Sequence, residues 1–122
     1  MTKNPINRLY VRTDSWSVSA KVRSGDAQQW LEVTVLGIAA GGLLFLTDMP
    51  YKKGDLLWFD LKIDPMAPGI AQRIPITAKG EIAGDRGTKD GKHAFSARFT
   101  EISKKDAIRI DELVRMTNHK YN

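Results

Sequence analysis

His93-Ala94-Phe95-Ser96-Ala97-Arg98-Phe99-Thr100 places Phe95, Ala97 and Phe99 on one side and small or polar residues on the other. Alternation with period two is the mark of a half-buried strand. Directly beyond it, Ser103-Lys104-Lys105-Asp106-Ala107-Ile108-Arg109-Ile110-Asp111-Glu112-Leu113-Val114 changes period. Ala107, Ile110, Leu113 and Val114 recur at helical spacing. Ser103 reads as an N-cap, whose hydroxyl accepts from a free amide of the first turn, and Asp106 puts negative charge where the helix dipole favours it. The chain therefore closes with a strand and one amphipathic helix.

Working back toward the N-terminus, five more segments read as strands. Trp16 to Arg23 aligns Val18, Ala20 and Val22, and Ser24-Gly25-Asp26 supplies a turn. A second strand, from about Trp30 to Leu36, aligns Leu31, Val33 and Val35, and Leu43 to Thr47 forms a third. After the loop Asp48–Asp55, broken by Pro50 and Gly54, Leu56 to Ile63 aligns Leu57, Phe59, Leu61 and Ile63. Asp64-Pro65-Met66-Ala67-Pro68-Gly69 reads as a strong breaker. Ile74 to Ala83 is the fifth strand, and Pro75 confines its start to an edge or bulge because proline cannot donate to the ladder. Gly84 to Gly91 reads as a charged, glycine-rich hairpin loop. Short strands at regular spacing followed by a helix predict a mainly β fold, a small six-stranded antiparallel barrel with a C-terminal α-helix.

The composition agrees with one globular domain: 122 residues, 42% hydrophobic and 27% charged. No apolar run approaches the roughly 18–20 residues of a membrane helix. Met1-Thr2-Lys3-Asn4-Pro5 has no apolar core, so no secretory signal is expected. Cysteine is absent, which removes disulfides, thiolate metal sites and a Cys nucleophile, and suits a cytoplasmic location. The net charge of +5 is uneven. Residues 1–30 carry five basic groups against two acidic, residues 31–97 eight of each, and residues 98–122 six against four. An anionic ligand or surface is a natural partner for the basic ends.

Catalytic motifs are lacking. No HExxH, GxSxG, P-loop or GxGxxG pattern occurs. His93 falls in a strand and His119 near the C-terminus, and Asp60 and Asp64 lie beside a turn, where carboxylates are usually solvated. Neither enzymatic activity nor a metal site is expected.

Two features stand out. Arg8-Leu9-Tyr10-Val11-Arg12 places two guanidiniums four residues apart, up to roughly 13 Å in an extended arm and closer in a turn. Guanidinium forks onto phosphate oxygens and its plane stacks on a base. The second feature is Leu36-Gly37-Ile38-Ala39-Ala40-Gly41-Gly42-Leu43, a run of small residues between two strands. It serves either as a tight β-connection or as a place where a ligand approaches the backbone closely.

RxxxR on an N-terminal arm, a small-residue step ending in Gly-Gly-Leu, and a closing Phe-Ser-Ala-Arg-Phe strand before a capped helix together resemble the PilZ domain family. The resemblance runs from about Arg8 to Val114. It implies a six-stranded barrel in residues 15–122 preceded by an arm, residues 1–14, carrying RxxxR. It also implies binding of the bacterial second messenger cyclic di-GMP, with no other cofactor. In that family the RxxxR arginines, here Arg8 and Arg12, grip phosphate and stack on guanine. A second motif, (D/N)xSxxG, falls here on Gly37 to Gly42. Gly42 matches, whereas Gly37 stands in place of Asp or Asn and Ala39 in place of Ser. The nucleotide-binding residues implied are Arg8, Arg12, Gly37, Ala39, Gly41 and Gly42.

The departure has a cost. A carboxylate accepts from guanine's N1–H and amino group, and a hydroxyl bonds backbone or phosphate. Each such bond lost costs about 1–3 kcal/mol, so two weaken binding by about 10²–10⁴-fold. Other PilZ relatives bind no nucleotide and act as protein adaptors, for instance in pilus assembly. Gly42 to Thr47 and Tyr51 to Asp55 resemble that branch, which generally lacks RxxxR. Two readings therefore stand: a cyclic di-GMP receptor that switches a protein partner, and a nucleotide-independent adaptor anchored through Trp58, Tyr51 or the outer face of the last helix. Single-stranded nucleic acid is a weaker third, since the middle strands are neutral and Phe59, Phe95 and Phe99 fall on the inward phase.

Overall fold

A computed structural model describes residues 16–65 and 74–121 of the chain. The strands are β1 (Trp16–Ser24), β2 (Leu31–Ala39), β3 (Gly42–Thr47), β4 (Leu56–Pro65), β5 (Ile74–Lys89) and β6 (Lys92–Ile102). They are followed by one helix, α1 (Lys104–Tyr121). The strands close into a barrel in the order β1-β2-β3-β6-β5-β4, every neighbouring pair antiparallel. The six-stranded barrel with a C-terminal helix is as the sequence predicts.

The inward phase of each strand supplies the core. Leu57, Phe59, Leu61 and Ile63 of β4 are buried, with Ala20 and Val22 of β1 and Phe95 and Ala97 of β6. Phe45 and Phe59 meet edge-on at 5.9 Å between ring centroids, and Phe59 and Phe99 do so at 6.0 Å. Such pairs add about 0.5–1.5 kcal/mol beyond area burial, because ring edges and faces carry opposite partial charge. Ile110 is fully buried, and Leu113 and Val114 pack against the same core, so α1 presents the face that its periodicity predicts. Its start is capped as expected: the Asp106 N–H donates to the Ser103 hydroxyl at 3.1 Å and the Ala107 N–H to the Ser103 carbonyl at 2.9 Å.

Pro75 sits opposite Lys62 in β4, but the β6 partners of β5 begin only at Ala78. The proline thus occupies a stretch bonded on one side, and its missing N–H is not needed.

Most strand boundaries fall within one or two residues of the sequence reading, and three differences bear on the fold. β4 runs on through Asp64 to Pro65, pairing with Ser17 and Trp16, because the breaker acts at the strand's end. β2 does not stop at Leu36. A register shift between Val35 and Gly37 admits one extra residue, so the inward phase jumps from Leu31, Val33 and Val35 to Ile38. The largest difference is in the stretch read as a hairpin loop over residues 84–91, of which 84–89 form strand. β5 continues to Lys89 through further register shifts, and only Asp90 and Gly91 make the turn, at φ 55° and 78°. Positive φ at both central residues is the type I′ geometry that matches strand twist, and Asp-Gly is its favoured sequence.

Candidate functional site

The β2–β3 hairpin gathers four of the six predicted site residues. Gly37 pairs with Leu44, Ile38 with Leu43 and Ala39 with Gly42, leaving Ala40 and Gly41 as a two-residue turn. Ile38 and Leu43 point into the core. Gly37, Ala39 and Gly42 take the opposite phase and contribute a single methyl group to the outer face, which Leu44, opposite Gly37, shares. Gly37 and Gly42 are buried, Ala39 is half-buried and Gly41 is exposed. A Cβ added to Gly41 meets nothing within 4 Å, so the turn is open to an approaching group. Arg8 and Arg12, with the rest of the arm of residues 1–14, lie outside the described residues.

The turn is fastened from the other side of β3. The Phe99 N–H of β6 donates to the Gly41 carbonyl at 2.9 Å. This places Arg98 directly opposite Gly42, and Arg98 is in turn opposite Glu81 of β5. The Arg98 guanidinium pairs with the Glu81 carboxylate, and the Arg98 side chain remains 67% exposed. Arg98 belongs to the closing Phe-Ser-Ala-Arg-Phe strand of the resemblance but is not among the nucleotide-binding residues implied by it. It reads as one polar position of a strand, and only the β3–β6 register puts it beside the glycine hairpin.

The aromatic residues of the adaptor reading are less free than their sequence context implies. Trp58 is half-buried, and the Lys79 ammonium lies 5.3 Å from its ring centroid. Register aligns Arg23, Trp58 and Lys79 across β1, β4 and β5, and Arg23 itself covers Trp30 at 5.2 Å. Cations occupying ring faces shield them from stacking partners. Tyr51 is half-buried and packs edge-on against Phe95 at 5.9 Å. Burial raises its phenol pKa above the ordinary value, with the Asp55 carboxylate adding to the effect. Tyr51 thus pins the Asp48–Asp55 loop to the barrel. On α1, Ile108 is 48% exposed.

Among the described residues, the other polar side chains form no reactive cluster. His93 stacks on Phe95 at 6.0 Å, and Asp60 lies opposite Lys21 on the outer surface. Among the described residues, no group of three or more His, Asp or Glu is arranged to hold a metal ion. A shallow groove of about 320 Å³ over β1, lined by Lys21, Glu32, Asp60 and Lys62, carries balanced charge.

The fold is similar to that of solved proteins. The inhibitor of motility MotI/DgrA of Bacillus subtilis superposes with a TM-score of 0.71 at 16% identity, covering 100% of this chain and 55% of that one. PlzA of Borreliella burgdorferi, solved in complex with c-di-GMP, superposes with a TM-score of 0.59 at 12% identity, covering 93% of this chain and 52% of that one. This chain thus spans about half the length of either protein. No curated protein matches it in sequence. The PilZ domain family model matches residues 6–116, nearly the full length of the barrel and its arm, and the chain therefore belongs to the PilZ domain family.

Proposed function

We propose that the chain is a receptor module that binds cyclic di-GMP and changes the surface it offers to a protein partner. The observation that carries this reading is the extent of the family match, residues 6–116, which takes in both Arg8-x-x-x-Arg12 and the glycine hairpin. On this reading Arg8 and Arg12 grip phosphate and stack on guanine. Gly37, Ala39, Gly41 and Gly42 form the floor, where the near absence of side chains lets a nucleotide approach backbone. The arm, residues 1–14, folds over the ligand against the barrel of residues 15–122, so binding shifts the population of arm conformations. PlzA, solved with c-di-GMP, shares the barrel.

PilZ domains are receptor and adaptor domains, and no catalytic step or resident cofactor is assigned. The reading carries a cytoplasmic location, where a nucleotide second messenger meets its receptors. Among the described residues, no helix is long and apolar enough to cross a membrane.

Calorimetric titration with cyclic di-GMP tests the proposal, with an Arg8→Ala/Arg12→Ala double mutant as control. Micromolar or tighter binding by the wild type, abolished in the double mutant, is the expected result. No heat at millimolar nucleotide overturns it. In that case a second reading leads, a nucleotide-independent adaptor for a motility, pilus or secretion component. Gly37 and Ala39 favour it, since neither supplies the acceptor or hydroxyl of the nucleotide motif.

A further inference from the structure

We infer that Arg98 is a third guanidinium of the nucleotide site, exchanging its ion pair with Glu81 for a phosphodiester oxygen of the bound dinucleotide. The inference rests on the cyclic di-GMP reading above. Three observations converge on it. Arg98 lies opposite Gly42, so its Cα is about 4.5–5.5 Å from the last glycine of the hairpin. The Phe99 N–H to Gly41 carbonyl bond fixes the neighbouring peptide of β6 against the turn, so Arg98 is held in register with the floor. Gly42 adds no side chain, and the space over Gly41, the neighbouring residue of the turn, is open.

The present partner of Arg98 is suited to exchange. Both side chains of the Arg98–Glu81 pair reach solvent, 67% and 28% exposed, and ion pairs in water contribute little. A phosphodiester offers the same planar fork a pair of charged oxygens, bonded bidentately. The hairpin also needs such help. Gly37 and Ala39 remove an acceptor and a hydroxyl from one side of the ligand, and a donor reaching in from β6 restores binding energy from the adjacent strand.

The test is calorimetric titration of cyclic di-GMP into wild type, Arg98→Ala, Glu81→Gln and the Arg8→Ala/Arg12→Ala double mutant, each checked for an unchanged melting curve. Arg98→Ala is expected to weaken binding about 10–100-fold, the range for one charge-assisted bond. Glu81→Gln, which breaks the ion pair but leaves the guanidinium free, is expected to bind at least as tightly as wild type. If the pair merely braced the hairpin, both variants would weaken binding alike, which overturns the inference. Arg98→Ala binding within twofold of wild type, while the double mutant binds nothing, overturns it and leaves the receptor reading intact. Absence of binding by the wild type overturns both.

Discussion

Gly80 is the position where the barrel tolerates a side chain least. It lies on the inward phase of β5, next to the register shift between Lys79 and Gly80, where β5 presses on β6. A Cβ placed there comes 2.7 Å from the carbonyl oxygen of Arg98 and 3.0 Å from Cε2 of Phe59. The carbonyl is part of the backbone ladder and cannot swing aside as a side chain does. Phe59 is wedged edge-on between Phe45 and Phe99, at 5.9 and 6.0 Å, so its ring has little room to turn. Forcing one carbon into such a core costs about 1–3 kcal/mol. Replacing Gly also restricts the unfolded chain, which returns about 0.4–1 kcal/mol. The net expectation for Gly80→Ala is a loss of about 1–2 kcal/mol, or about 4–8 °C in Tm for a chain of this size. Thermal and urea unfolding followed by circular dichroism measures it, with Gly41→Ala as the control. Gly41 has open space around its missing Cβ, so that variant should stay within about 0.5 kcal/mol of wild type. A Gly80→Ala protein that melts at or above the wild-type temperature would show that β5 and β6 yield freely there, and the reasoning fails.

Two further outcomes follow from features of the loop and the cap. The Tyr51 phenol holds its proton above the ordinary value of 10.0 in the folded state, mainly through burial and then through Asp55. The unfolded chain therefore ionises first, so this contribution to stability is intact below about pH 10 and lost as the pH rises toward the folded value. Urea titrations between about pH 9 and 11.5 should show wild type losing more stability than Tyr51→Phe, and parallel curves would contradict the assignment. Removing the N-cap hydroxyl in Ser103→Ala should cost about 1 kcal/mol, read as an earlier unfolding midpoint. An unchanged midpoint would mean that the Asp106 amide finds water at no cost.

Much of the barrel is legible in the residues themselves, because a face that must be dry records itself at every second position. Leu57, Phe59, Leu61 and Ile63 announce β4 and its orientation without further information. Legibility ends where that rule does. The extra residue between Val35 and Gly37 shifts the phase, so the final turn of β2 looks like a separate glycine-rich step. Beyond Gly84, β5 is exposed through Lys89, and with no buried side there is no period to detect. The Asp90-Gly91 turn signal was present, but it lay inside a run of charges and glycines that reads equally as loop. At the candidate site, Gly37, Ala39, Gly41 and Gly42 follow from motif order. Arg98 does not, since its neighbour Gly42 is 56 positions away in the chain and close only through strand pairing.

The far end of β5 also bears on how the molecule keeps to itself in a crowded solution. Pairing with β4 ends at Glu81, and bonds from Gly54 and to the Asp55 carbonyl cover the next residue, Ile82. From there to Lys89 the strand has β6 on one flank and no described strand on the other, an open border. Bare peptide groups of that kind invite a strand from another molecule. Here the border carries Asp85, Arg86 and Lys89, is bent by register shifts, and is interrupted by Gly84 and by Gly87 at φ 88°. A flat, regular partner strand finds neither a straight rail nor neutral ground to zip along, and intermolecular sheet growth is discouraged at this border.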